Sequence, residues 1–157
     1  MIDEIMAQYA HTWRTFAGIV GEFEGEAWLR MGYGDMTPVR TAFHILKGVK
    51  YYIEDESELT FNSGVPFDLD MDKVTAEELP TQADVVAMAR ALQARTDAWL
   101  SGLDLEAPNE TFPWAGATQL GVALFLLRHN LYHLGELSAL LNQSKNGVAP
   151  DHWVKSL

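Results

Sequence analysis

Apolar residues recur along this chain at intervals of three and four, the spacing of one face of an α-helix. In the first segment they are Ile2, Ile5, Met6, Tyr9, Trp13, Phe16, Ala17 and Val20. Gly18, Gly21 and Gly25 gather near its end and weaken helix beyond about Phe23. A loop follows at Gly32-Tyr33-Gly34-Asp35. Thr37-Pro38 then reads as a helix start, because threonine caps and proline fits the first helical position. The second helix runs to about Asp55, with Val39, Ala42, Leu46, Val49 and Ile53 as its apolar stripe. Thr41, His44, Gly48 and Tyr51 form a separate row. A glycine inside a helix costs about 1 kcal/mol relative to alanine. Gly48 therefore implies either a bulky group in close approach or a neighbouring helix packed tightly.

The connection from about Glu56 to Pro80 is long for a compact domain. Phe61, Phe67 and Leu69 are expected to pin it, and it is placed to contribute to a pocket. Thr81 and Asp84 begin a third helix, with Val85, Met88, Ala89, Leu92, Thr96 and Trp99 at helical spacing and Ser101-Gly102 at its end. A second connection, Leu103 to Ala117, carries Pro108, Pro113, Trp114 and Gly116. The fourth helix starts at Thr118 and is stopped by Asn146-Gly147. Its apolar residues cover nearly the whole circumference, which predicts packing on several sides or a dimer interface. Val148 to Leu157 is a short tail. No stretch has the period of a strand. The expectation is an all-α chain, one domain over residues 1–157, folded as a four-helix bundle with a long connection between its second and third helices.

Composition narrows the function classes. Net charge −11 argues against nucleic acid or an anionic membrane as the main partner. With no cysteine, disulfides, thiolate catalysis and cysteine metal sites are excluded together. The acidic start Met1-Ile2-Asp3-Glu4 lacks the plan of a signal peptide, and the uncharged run near Thr111 to Leu127 holds Pro113 and two glycines, a poor membrane span. The default expectation is a cytoplasmic protein.

The chemistry-bearing stretch is Arg128-His129-Asn130-Leu131-Tyr132-His133-Leu134-Gly135-Glu136-Leu137. Residues four apart lie one turn above each other, so His129 and His133 project side by side. Buried imidazoles need partners. Hydrogen-bonding neighbours or a shared metal ion satisfy them equally well. His44, on the second helix, is a third candidate ligand. Three neutral imidazoles leave further positions open on an ion, the arrangement of a catalytic site. They do not choose among zinc, nickel, iron, cobalt and manganese. A metal-bound water reaches a pKa of about 7 in zinc sites. Glu136 reads either as a partner for a histidine N–H or as a surface acid. Arg128 reads as a carboxylate binder or a solvated cation, and Tyr51, Tyr52 and Tyr132 as pocket lining or core. The spacing of Asp68, Asp70 and Asp72 hints at calcium but lacks the glycine and glutamate of an EF-hand loop, which favours a solvated loop. His11 and His152 show no partners and are left out of the site.

The His-x-x-x-His pair His129 to His133, followed by Leu134-Gly135-Glu136-Leu137, resembles the C-terminal signature of the DinB/YfiT-like superfamily. Ala42-Phe43-His44-Ile45-Leu46, followed by Tyr51-Tyr52, resembles the setting of that family's first histidine. Helix order, the long second connection and the length agree, so the resemblance covers most of the chain. It implies metal binding by His44, His129 and His133, an antiparallel four-helix bundle and a tendency to form homodimers. Some relatives are transferases or isomerases that use low-molecular-weight thiols; others are described as metal-dependent hydrolases. One departure is Leu134, where an arginine or histidine is frequent.

The expectation is thus a protein with one divalent transition metal, zinc or nickel first, with iron, manganese or cobalt as alternatives. Its partner is a small-molecule substrate, attacked by activated water or by an external low-molecular-weight thiol. The alternative is a non-catalytic helical bundle that binds a ligand or dimerises.

Overall fold

The computed structural model describes residues 1–32, 36–70 and 73–157. Four long helices carry it: α1 (Ile2–Glu22), α3 (Pro38–Tyr52), α4 (Gln82–Gly102) and α5 (Gln119–Ser144). Two short ones, α2 (Glu26–Arg30) and α6 (His152–Lys155), were not foreseen from periodicity, because four or five residues are too few to display it. Among the described residues there is no strand, only the isolated bridges Thr60–Pro66 and Pro108–Thr118.

Helix α1 packs against α4 and α5, and α3 packs against the same two. The main core runs between them, with Tyr9, Phe16, Phe43, Leu46, Leu92, Leu126 and Leu137 all fully enclosed, and a small second cluster is formed by Phe112, Ala115 and Val122. The Tyr9 hydroxyl donates to the Ala123 carbonyl at 2.7 Å and so ties α1 to α5 inside that core. Burial, the larger influence, raises the phenol's pKa well above its ordinary value.

Helix ends follow local chemistry with three differences from the expected pattern. Thr81 caps α4 as predicted: Asp84 N–H donates to its hydroxyl, and the Asp84 carboxylate returns to the Thr81 N–H. Thr37 and Thr118 occupy the N-cap positions of α3 and α5, yet neither makes a side-chain capping bond. Helix α3 stops at Tyr52 rather than Asp55, because Glu54 takes a left-handed φ of 53° that a helix cannot continue. Helix α5 ends where Asn146-Gly147 predicts, with Gly147 at φ 85° and its N–H on the Asn142 carbonyl at 2.8 Å.

The connection after α3 is pinned by buried Phe61 and Phe67, with Leu69 packed against the core. Asp84 anchors it again by accepting the Ser63 N–H at 2.9 Å. Helix α5 is less enclosed than its composition suggests: Val122, Leu126, Leu134, Leu137 and Leu141 face the core, while Leu124 and Tyr132 lie in solvent. Of the loop Gly32-Tyr33-Gly34-Asp35, the last three residues lie outside the described residues, as does Asp72 of the acidic run. No helix among the described residues is long and apolar enough to cross a membrane.

Candidate metal centre

Helices α3 and α5 lie side by side, and their contact brings His44 to His129 and His133. One ligand nitrogen from each ring falls within 4.8 Å of the others. The Nε2 atoms of His44 and His129 are 3.1 Å apart. Ring centroids are separated by 5.0 Å for His44–His129, 4.4 Å for His44–His133 and 4.6 Å for His129–His133. The predicted i, i+4 pairing on α5 is therefore present, and the third histidine joins it across 85 residues of chain. His44 is exposed at the rim and the other two are half-buried.

Neighbouring groups orient the rings. Glu136 Oε2 lies 2.6 Å from His133 Nδ1. An ionised carboxylate only accepts, so that nitrogen carries the proton, which leaves Nε2 as the nitrogen turned toward the other two rings. Asn130, buried in an otherwise apolar stretch, places Oδ1 at 3.3 Å from His129 Nδ1. This sets the same tautomer, with His129 Nε2 as acceptor. His44 Nε2–H then donates across the 3.1 Å contact, and binding a cation there requires it to move its proton to Nδ1. Burial, then the charges of His133 and His129, lower the pKa of His44 against the opposing effect of Glu136. Burial likewise lowers that of His129, against its Asn130 hydrogen bond. Both shifts favour the neutral ring, the state a metal ligand needs.

The donor set fits a divalent transition ion. Metal–imidazole bonds of roughly 2.0–2.1 Å at tetrahedral angles put two ligand nitrogens roughly 3.3 Å apart. The observed 3.1 Å between His44 and His129 is close to that spacing. All three donors are imidazole nitrogens, with no thiolate or carboxylate among them.

Gly48 explains its place in the row with His44. A Cβ there would lie 2.7 Å from His129 Cε1 and 3.3 Å from its Nδ1. The bulky group in close approach is thus a histidine of the cluster itself. Thr41, one turn before His44, is buried, and its hydroxyl has no hydrogen-bond partner among the described residues.

A groove of about 540 Å³ opens beside the cluster, lined by His44 and His133 together with Phe43, Lys47, Asp68 and Leu69. The long connection therefore does form one wall of a pocket. Its acids Asp68 and Asp70 lie on that wall and are exposed, as a solvated loop predicts, with Asp70 paired to Lys73 at 2.7 Å. Lys47 escaped notice in the sequence; its signal is a cation one turn after His44. Asn130 escaped too, although a lone amide between two histidines of an apolar helix marks a buried polar partner.

The remaining candidates distribute plainly. Arg128 is exposed and stacks over Phe125 at 5.1 Å. Tyr132 is exposed with its ring 5.0 Å from that of His133. Tyr52 lies 6.2 Å from His129 and accepts a hydrogen bond from Trp114 Nε1, while Tyr51 is largely exposed. Leu134 is buried in the core, so an arginine at that position would be enclosed by apolar side chains. His11 and His152 lie outside the cluster; His11 has a hydrogen-bond partner, whereas the buried His152 Nε2 has none among the described residues and stands 3.6 Å from Glu22 Oε1. His11 Nε2 meets the Trp153 carbonyl at 2.9 Å, and the His152 ring rests on Gly18. Both contacts come from α6, which the sequence pattern left as a tail.

Comparison with family models, with characterised proteins and with solved structures finds no match for this chain.

Proposed function

We propose that this chain is a DinB-like metalloprotein: an antiparallel four-helix bundle that holds one divalent metal through His44, His129 and His133 and acts on a small molecule. The observation that carries the reading is the convergence of three imidazoles from two helices, with ligand nitrogens within 4.8 Å of one another. Zinc and nickel suit neutral nitrogen donors, and iron, manganese or cobalt accept the same set. When bound, such an ion supplies Lewis acidity toward a water or a thiol. The reaction is then hydrolysis, or transfer to an external low-molecular-weight thiol, since the chain has no thiol of its own.

The protein's own residues prepare the site. Glu136 and Asn130 fix the tautomers of His133 and His129, and Gly48 makes room for the His129 ring. The groove beside them admits a small molecule and has an apolar wall, Phe43 and Leu69. A second reading is favoured by one observation: Leu124, Arg128 and Tyr132 form an exposed stripe on α5. In that reading α5 is an association face of a homodimer and the histidines are a hydrogen-bonded polar cluster without a metal.

Elemental analysis of untagged protein purified without chelators decides between them. The metal reading expects near-stoichiometric metal in the parent and none in the His44→Ala/His129→Ala variant. It also expects His133→Ala to lose most affinity with little change in helical content. No metal in the parent after incubation with zinc and nickel would leave the association reading.

A further inference from the structure

The chain has 22 acidic and 11 basic residues, yet the helix that carries His44 inverts that balance. Helix α3 holds Arg40, Lys47 and Lys50 and no acid at all. Lys47 lies one turn from His44 and lines the groove that His44 and His133 open into. It is exposed, forms no ion pair among the described residues, and its Nζ stands 5.4 Å over the Phe43 ring. That contact holds the ammonium above an apolar wall without neutralising it. A second groove of about 420 Å³ continues along α3, sharing Lys47 and Asp68 with the first and adding Lys50.

The charges around Lys47 limit what the groove accepts. Arg40, on the same wall, has interactions of its own, so the recognising cation is Lys47. Asp70 is paired with Lys73. Farther along, the second groove is lined by Glu54, Asp55 and Glu56, which repel a negative group placed there. Asp68 lines both grooves with Lys47 and repels an anion from the loop wall, so the position left for one is the short interval between Lys47 and the histidines. Side chains three apart on a helix are about 5–6 Å from one another at Cβ.

We propose that the groove binds a small organic carboxylate. Its anionic group sits at Lys47, its carbon body lies on Phe43 and Leu69, and the end that reacts is held at His44 and His133. The inference rests on the metalloprotein reading for the reaction, but carboxylate recognition by Lys47 stands without a metal. A bound divalent cation adds positive charge at the other end of the same interval. A dicarboxylate, or a carboxylate with an electrophilic carbon a few bonds away, spans both.

The test is an NMR titration of metal-free and zinc-loaded protein with butyrate, hexanoate and octanoate, each against the matching amide and amine. The proposal expects the carboxylates to bind best in both forms, with the shifts centred on Phe43 to Lys47 and Leu69. Lys47→Met should weaken carboxylate binding about fivefold or more and erase the preference over the amide. Lys47→Arg should keep it, and Lys50→Met should change it little. Metal content should be the same in all variants. Amines binding as well as carboxylates, hexanoate indifferent to Lys47→Met, or no carboxylate bound in either form would each overturn the proposal. Failure to take up zinc would count against the metal centre alone, because the metal-free titration judges Lys47 separately.

Discussion

At the scale of single residues, the site is shaped as much by an absent side chain as by those present. Gly48 interrupts α3 where alanine would favour helix by about 1 kcal/mol. What occupies the space is the His129 ring, 2.7 Å from where a Cβ would stand. A glycine kept only for tight helix packing and a glycine that seats a ligand predict different outcomes. In Gly48→Ala the His129 ring must move away from His44, so metal affinity should fall by about tenfold or more, the range of lost supporting contacts. Gly135 on α5 is the control, with nothing within 4 Å of its virtual Cβ. Gly135→Ala should stabilise by about 0.5–1 kcal/mol and leave metal affinity unchanged. In a His129→Ala background, Gly48→Ala should become stabilising as well. Chelator-competition titrations and urea unfolding of these variants check the coupling; equal metal affinity in Gly48→Ala and the parent would remove Gly48 from the site.

At the scale of elements, the contact between α3 and α5 makes the histidine cluster, and the clasp between α1 and α6 braces the other side of α5. Trp153 packs its ring against His11 with centroids 4.1 Å apart and lines a groove together with Ile19, Leu131 and Leu134. Arg14 Nε donates to the Ser156 carbonyl at 2.9 Å. Four helical residues cannot hold themselves together, so α6 exists because these contacts fix it. Trp153→Ala should therefore lower the urea-unfolding free energy by about 1–2 kcal/mol while metal content stays at the parental level. An unchanged midpoint would mean that α6 contributes nothing to the fold. The same logic explains which elements were legible. Long amphipathic helices announce themselves through repeated spacing, whereas α2 and α6 are one turn each and are held by partners far away in the chain.

At the scale of the molecule, excess acid and internal carboxylate bonds set the response to pH. Burial would raise the pKa of Asp84, but hydrogen bonds from Thr81 and Ser63 outweigh it and the net shift is downward. Asp55 behaves alike: burial raises, and bonds from Ser57 and Arg95 bring it down. In the unfolded chain both groups take up protons near pH 3.8, before the folded ones do. Their contribution is thus fully present above that value and is lost as pH falls through the folded pKa. The expected outcome is a loss of stability on the acid side that is shallower in Asp84→Asn, whose neutral-pH stability is also lower because the amide cannot reproduce all the accepted bonds. Urea midpoints at about pH 7 and about pH 3 in parent and variant check both parts. An equally steep acid loss in Asp84→Asn would assign it to other groups.

The sequence by itself determined what depends on neighbours along the chain. The four long helices follow from the spacing of apolar residues, the start of α4 from Thr81 and Asp84, the end of α5 from Asn146-Gly147, and the pairing of His129 with His133 from one helical turn. Each rests on forces that act within a few residues. Only the tertiary structure decided what depends on contacts between distant segments. It brought His44 to that pair, put His129 in the space left by Gly48, turned the connection after α3 into a groove wall, and gave His11 its partner in the Trp153 carbonyl of α6. Such contacts are chosen by how whole helices pack their cores, and no local spacing encodes that choice.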